Sequence, residues 1–321
     1  MAKSRKLESL QASINAVRHQ LAPATDEAIA TLRSVLASKQ PIAIAQIAKL
    51  VNQYHLTELI PLLAHEFERM LIKGASTDPS CIAKKAIANT LYRLEYAETE
   101  LFLNGIHHRQ REPVWGTTVD TAPGLRAICA LALVRVHYRE IMVELADLLA
   151  DTEVEARIGA ARAIAYSENP QGIPLLRLKV HLGDEEPQVL SECFMALLKM
   201  APQQSFPLVA PFLEGFEPAI CELAALALGE ARIPEAFAAI KRAWQRAHES
   251  ELRQNLLLAI ATLRTDDAIQ FLTGLIERGN LEDAKGAIAA LRIYRDIDEI
   301  WQQVEATTRL RGDGTLVNKL K

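Results

Sequence analysis

Few strings in this 321-residue chain come near to chemistry. His65-Glu66-Phe67-Glu68-Arg69 begins like a zinc-protease helix, in which two imidazoles one turn apart hold the metal. Arg69 stands where the second imidazole is needed, so the string is expected to bind no zinc. His107 and His108 are adjacent, and neighbours on a helix point about 100° apart. They are expected at an exposed helix end, where the C-terminal dipole favours a cation. His19, His55, His137, His181 and His248 are isolated in the chain. Neither common glycine-rich phosphate loop is present. Glu153/Glu155 and Glu185/Glu186 lie near expected turns, where carboxylates complement helix N-termini. No catalytic residue, metal ligand or cofactor is expected.

Composition narrows the classes further. Half of the residues are hydrophobic but only 5% are aromatic. Ala, Leu and Ile dominate, and Ala and Leu favour helix. No segment alternates with period two as a half-buried strand would. The net charge is −4 with a pI near 6.1, so no global positive field gathers nucleic acid or anionic membrane. Both ends are locally basic. Lys3, Arg5, Lys6 and Arg18 outweigh Glu8, and Arg309, Arg311, Lys319 and Lys321 outweigh Asp313, each end holding +3 and leaving about −10 between them. No apolar run is long enough to span a bilayer, and the N-terminus lacks the apolar core of a secretory signal. Cys81, Cys129, Cys193 and Cys221 lie far apart and are expected as reduced, partly buried small apolar residues. A cytoplasmic protein is expected.

What positions any site here is a repeat. Ala132, Ala163, Ala196, Ala227, Ala259 and Ala290 follow one another at 31, 33, 31, 32 and 31 residues. Each is followed by Leu or Ile. Three residues earlier stand Cys129, Ala160, Cys193, Ala224, Leu256 and Ala287. Seven earlier stand Leu125, Ala156, Val189, Ile220 and Leu252, with Asp283 the exception. Offsets of seven, three and zero share one helical face. A second amphipathic segment follows each anchor helix, as in Ile141–Leu149 and Ile173–Val180. Each unit is thus a helical hairpin that must stack on its neighbours to bury its apolar face.

The chain divides into a capping helix (1–24), divergent repeats (25–111) with Thr90 in the anchor place, an insertion (112–124), six regular repeats (125–308) and a basic tail (309–321). The insertion, EPVWGTTVDTAPG, is expected as an ordered loop. Trp115 within it either plugs the junction between divergent and regular repeats, or joins Val114 and Thr117 in a partner-binding lip.

The recurring pattern apolar-Arg-x-x-Ala-x-x-Ala-Leu resembles HEAT repeats of the short bacterial kind, often called PBS-lyase-like repeats. The resemblance covers residues 120–308 well and 25–119 weakly. It implies an all-α fold, a right-handed α-solenoid of HEAT-like hairpins. It also implies an Asp six residues before a base, the two bridging adjacent repeats. That spacing holds for Asp78 and Lys84, Asp120 and Arg126, and Asp151 and Arg157. It breaks at Asp184, which faces Leu190, and at Arg253, which faces Ala247. A polar ladder is the expected role of these residues.

Three functions are open at this point. The first is a non-catalytic scaffold with another protein as partner. Offsets −8, −5, −1 and +3 from each anchor form an outward ridge. Its acids are Glu155, Glu222, Glu230, Glu251 and Glu282, and its bases are Arg135, Arg162, Lys199 and Lys285. Leu131, Ile158, Tyr166, Met195, Leu226 and Leu258 lie between them, a mixture suited to protein contacts. The second is nucleic-acid chemistry like that of HEAT-type DNA glycosylases, which the charge-balanced ridge disfavours. The third, implied by the family name, is a bilin lyase or chaperone. Trp115 with His107, His108 and Arg109 is the candidate cluster for it.

Overall fold

The computed structural model describes residues 2–22, 24–215 and 217–320. The side chains of Lys3, Arg5 and Lys6, noted above for their charge, lie outside the described set, as does Lys321. The chain forms two compact units, Met1–Glu168 and Asn169–Lys321.

In the first unit α1 (Ala2–Val17), α2 (Asp26–Ala37), α3 (Pro41–Tyr54), α4 (Ile60–Lys73), α5 (Ile82–Arg93) and α6 (Thr99–Ile106) lead to an antiparallel strand pair. This pair is β1 (Arg111–Val114) and β2 (Thr117–Asp120). Next come α7 (Pro123–Arg135), α8 (Ile141–Leu149) and α9 (Val154–Ser167). The second unit holds α10 (Gly172–Leu182), α11 (Pro187–Met200), α12 (Pro202–Val209), α13 (Pro218–Glu230) and α14 (Ala236–Arg246). It ends with α15 (Ser250–Thr262), α16 (Asp266–Arg278), α17 (Leu281–Leu291), α18 (Asp298–Arg311) and the single turn α19 (Gly314–Val317).

Anchor helices pack on anchor helices: α3 on α5, α5 on α7 and α7 on α9 in one unit, and α11, α13, α15 and α17 in succession in the other. All six anchor alanines and all six residues three before them are buried. Small side chains at these places let the helix backbones approach closely. Thr90 fits the same place in α5 because its hydroxyl donates to the Ala48 carbonyl at 2.7 Å, which satisfies its one polar group. At offset −7, Leu125, Ala156 and Val189 are buried, but Ile220, Leu252 and Asp283 remain partly open.

The hairpin differs from the sequence expectation in one respect. The outer helices α8, α14 and α16 pack more extensively on the anchor helix after them than on the one before, lying on α9, α15 and α17, whereas α12 packs mainly on α11 and the 3-10 turn Ala210–Glu214 after it lies on α13. In those three the packed pair is therefore outer helix first, anchor helix second, one helix out of step with the order read from the sequence.

Anchor helices also end alike. The fifth residue after the anchor is left-handed in Glu95, His137, Glu168, Arg232 and Arg264, with φ between 51° and 58°. This reverses the chain into the next outer helix. The amides of Tyr96 and Tyr138 close the turn on the carbonyls of Leu91 and Leu133 at 2.9 and 3.0 Å. Left-handed backbone at a residue with a Cβ costs about 1 kcal/mol or more. Ala201 and Arg295 break the series: Ala201 lies at φ −148° because the following Pro202 disfavours helical backbone there, and Arg295 stays right-handed at φ −58°.

The segment 112–124 holds a two-residue hairpin rather than an irregular loop. Trp115 (φ 32°) and Gly116 (φ 82°) form its turn, and both need positive φ there. Residues 309–321 are also folded in part. Arg309 and Arg311 end α18, Arg311 donates to the Ile276 carbonyl at 2.7 Å, and Leu316 is buried.

Candidate functional site

The ladder residues lie mostly inside the first unit. Asp78 accepts the Ala83 and Lys84 amides at 2.9 Å each and pairs with the buried Lys84 ammonium at 3.3 Å. Arg126 is fully buried and spans two repeats, meeting Asp120 at 2.7 Å and Asp151 at 2.9 Å. Asp151 also receives Arg109 at 2.8 Å. Arg157 does not pair with Asp151 through its carboxylate as the spacing suggested. Its guanidinium donates instead to the main-chain carbonyls of Asp151 and Thr152, at 3.0 and 2.9 Å, because Arg126 and Arg109 already hold the carboxylate.

Burial alone would raise the Asp120 carboxyl. Amides of Ala122 and Gln110 and the Arg126 guanidinium outweigh it and hold the group below the ordinary carboxylate range. In the second unit the ladder continues with other partners. Asp184, lacking a base at Leu190, pairs with Lys179 at 2.7 Å. Arg253, lacking an acid at Ala247, donates to that residue's carbonyl at 3.1 Å and pairs with Asp283 of the next repeat at 2.6 Å. The polar exception in the apolar stripe, Asp283, is thus the acceptor of a cross-repeat bridge.

Side chains singled out for chemistry are taken by separate partners. Glu66 binds Arg69 at 2.6 and 2.8 Å, so the residue replacing the second imidazole neutralises the would-be base. His107 meets Glu144 at 2.6 Å, His108 meets Gln110 at 3.3 Å, and Arg109 meets Asp151. Burial pushes the His108 imidazole below its ordinary value. Burial likewise raises the thiols, Cys81 and Cys193 to about 12, and all four cysteines are buried and free. Among the described residues no group of three or more His, Cys, Asp or Glu is arranged to hold a metal ion.

Trp115 does not plug a junction. Its side chain is 102% exposed at the hairpin tip, beside the exposed Val114 and Val119. The hairpin base carries the contacts: Glu112 accepts from the Ser80 amide, the Gln110 amide group and the Thr121 hydroxyl at 2.8, 2.7 and 2.6 Å. Trp115→Ala is therefore expected to leave the unfolding free energy within about 0.5 kcal/mol of wild type by urea titration, as for an exposed surface change. A loss of several kcal/mol would place the ring in a packed seam.

None of the ridge residues is fully buried. Leu131, Arg135, Ile158, Met195, Leu226 and Leu258 are half-buried, and Arg162, Tyr166, Lys199 and Glu230 are exposed. In the first unit Arg135 stacks 4.2 Å over the Tyr92 ring, donates to the Tyr92 carbonyl and hydrogen-bonds the Tyr166 hydroxyl, which lowers the Tyr166 phenol.

In the second unit the ridge opens into a groove of about 490 Å³ between α11, α13 and the end of α15. Met195, Leu223 and Leu226 form its walls, with Ser191 and Thr262 beside them and Glu230, Arg232 and Arg264 at its polar edge. Arg232 and Arg264 escaped the sequence reading, since they lie past the helix ends. Their common offset of five from an alanine anchor is the signal that would have found them. A second depression of about 530 Å³ near the starts of α15 and α17 is lined by Arg253, Asn280 and Asp283, which already bind one another.

Both units are stacks of HEAT-like helical hairpins, the first with one short strand pair inserted, and among the described residues no helix is long and apolar enough to cross a membrane. No family model and no curated protein matches the chain. Among solved structures it is similar to the complex of CpcE and CpcF of phycocyanin lyase from Nostoc sp. PCC7120. The identity is 16%, covering 79% of this chain and 94% of that chain, with a TM-score of 0.40.

Proposed function

We propose that this chain is a non-catalytic scaffold that holds a segment of another protein in the groove between α11 and α13. The supporting observation is the groove's make-up: Met195, Leu223 and Leu226 present half-buried apolar surface, edged by Glu230, Arg232 and Arg264. An apolar floor with a charged rim suits a protein segment that inserts one or two apolar side chains. Covering one leucine-sized side chain contributes about 1.5–3 kcal/mol. Met is deformable and accommodates different insertions.

Leu226→Glu tests the reading. Leu226 reaches into the groove, so the variant should fold with an unchanged helical spectrum and a nearly unchanged Tm. Proteins retained by the immobilised wild type should fall by roughly tenfold or more on the variant, since a carboxylate would be desolvated against the inserted side chain. An identical set of proteins at equal yield on both would overturn the groove as the binding surface.

A further inference from the structure

We infer that the segment held in this groove is acidic, and that Arg232 and Arg264 read a pair of its carboxylates. The inference rests on the groove reading above and names the chemistry of the occupant. Both arginines are exposed at the groove edge, and neither guanidinium has an ion-pair or hydrogen-bond partner among the described residues. This sets them apart from Arg126 and Arg253, which are spent on the ladder.

Their placement adds a second argument. Both occupy the left-handed position five residues after the anchor, with φ of 51° and 55°. Glycine adopts that backbone without cost, so a side chain there is not explained by the turn. The same position holds Glu95, His137 and Glu168 in the first unit, so the turn tolerates acid, imidazole or guanidinium. In the groove it carries guanidinium twice in succession. Neighbouring helices lie about 8–10 Å apart, so the equivalent backbone positions that carry the two arginines are set at about the spacing of residues i and i+7 on a partner helix, roughly 10 Å. A guanidinium fork matches a carboxylate with two parallel hydrogen bonds.

Glu230 is the acid on the same edge and repels a uniformly acidic occupant. Its place is met by one basic residue in the segment, which fixes the direction in which the segment lies. The chain's net charge of −4 does not oppose this. At physiological salt, charges farther away than about 8 Å are largely screened, so the local pair of arginines is what an approaching segment meets.

The test uses the full chain and labelled synthetic helical peptides of one sequence, bearing leucines on one face and either Glu, Gln or Lys at i and i+7. Fluorescence anisotropy should show the Glu peptide binding roughly tenfold or more tighter than the Gln peptide, with the Lys peptide weakest. Raising the salt should shrink that advantage. The double variant Arg232→Gly, Arg264→Gly should erase it without lowering the Tm, because glycine relieves the left-handed turn.

Equal binding, or no binding, of the Glu and Gln peptides overturns the inference, as does an advantage that persists in the double variant. Displacement of the Glu peptide by a labelled oligonucleotide of higher affinity overturns it in favour of a phosphate-bearing occupant. If the charge advantage is absent while Leu226→Glu still loses its captured proteins, the groove reading stands and this inference alone fails.

Discussion

Arg126→Ala is expected to lower the unfolding free energy by about 3–5 kcal/mol, the range for breaking a buried ion pair by removing one partner. The guanidinium is fully buried between Asp120 and Asp151, at 2.7 and 2.9 Å; its loss takes from Asp120 its ion-pair partner and leaves Asp151 only the half-exposed Arg109. Arg126→Lys should rescue little, because one ammonium cannot reproduce a fork that meets an acid of each repeat. Replacing all three, with Arg126→Met, Asp120→Asn and Asp151→Asn, should recover most of the loss. The desolvation cost of the charges disappears together with their attraction.

Urea titration of the four proteins by circular dichroism checks this. A loss under 1 kcal/mol for Arg126→Ala would show the network to be stabilised by something other than the pairing. Acid should shrink the gap. Asp120 is held below the ordinary carboxylate range, so its contribution is present above the unfolded value near 4 and lost as the pH falls through its lower folded value.

The second large effect concerns Gly159 in α9. A Cβ there would lie 2.3 Å from the Ala127 Cβ and 2.7 Å from its Cα, where two anchor helices meet. Helix propensity alone favours replacing a mid-helix glycine by about 1 kcal/mol. Sterics decide the sign, because the obstacle is backbone and cannot swing aside. Gly159→Leu should cost about 2–3 kcal/mol by the same titration, the upper part of the range for overpacking. Gly124 offers the control. A Cβ there meets the flexible ends of Lys85 and Glu155, so Gly124→Ala should be close to neutral. If Gly159→Leu proved neutral as well, close approach would not be what the small residues of the stripe provide.

The core was legible in the sequence because it is made of small and aliphatic side chains at a fixed helical offset. The anchor alanines and the residues three before them are buried in every regular repeat. The hairpin at 111–120 was not legible. Its strands are four residues long, one contains Pro113, and most of their side chains face solvent, so no alternation of apolar and polar residues marks them. Only the Trp115-Gly116 pair, a two-residue turn needing positive φ, carries the signal.

For the ladder, the spacing identified the carboxylates but mispaired one of them, since a six-residue rule cannot see that Arg126 reaches forward into the next repeat. The groove was half legible. Met195, Leu226 and Glu230 follow from the helical offset, whereas Arg232 and Arg264 depend on the path of the chain after the helix stops.

The order of packing, with α8, α14 and α16 pressed on the anchor helix that follows them in the chain, defines where this protein can be edited. The left-handed turn that ends an anchor helix is the seam between complete pairs; the bend between an outer helix and its anchor helix lies inside one. A module excised from one such turn to the next keeps its own apolar contact intact, and one excised from bend to bend loses it. Lengthening, shortening or recombining the array would therefore succeed with cuts at Glu95, His137, Glu168, Arg232 or Arg264. The same turns are the places where an ancestral hairpin could be copied without first being broken.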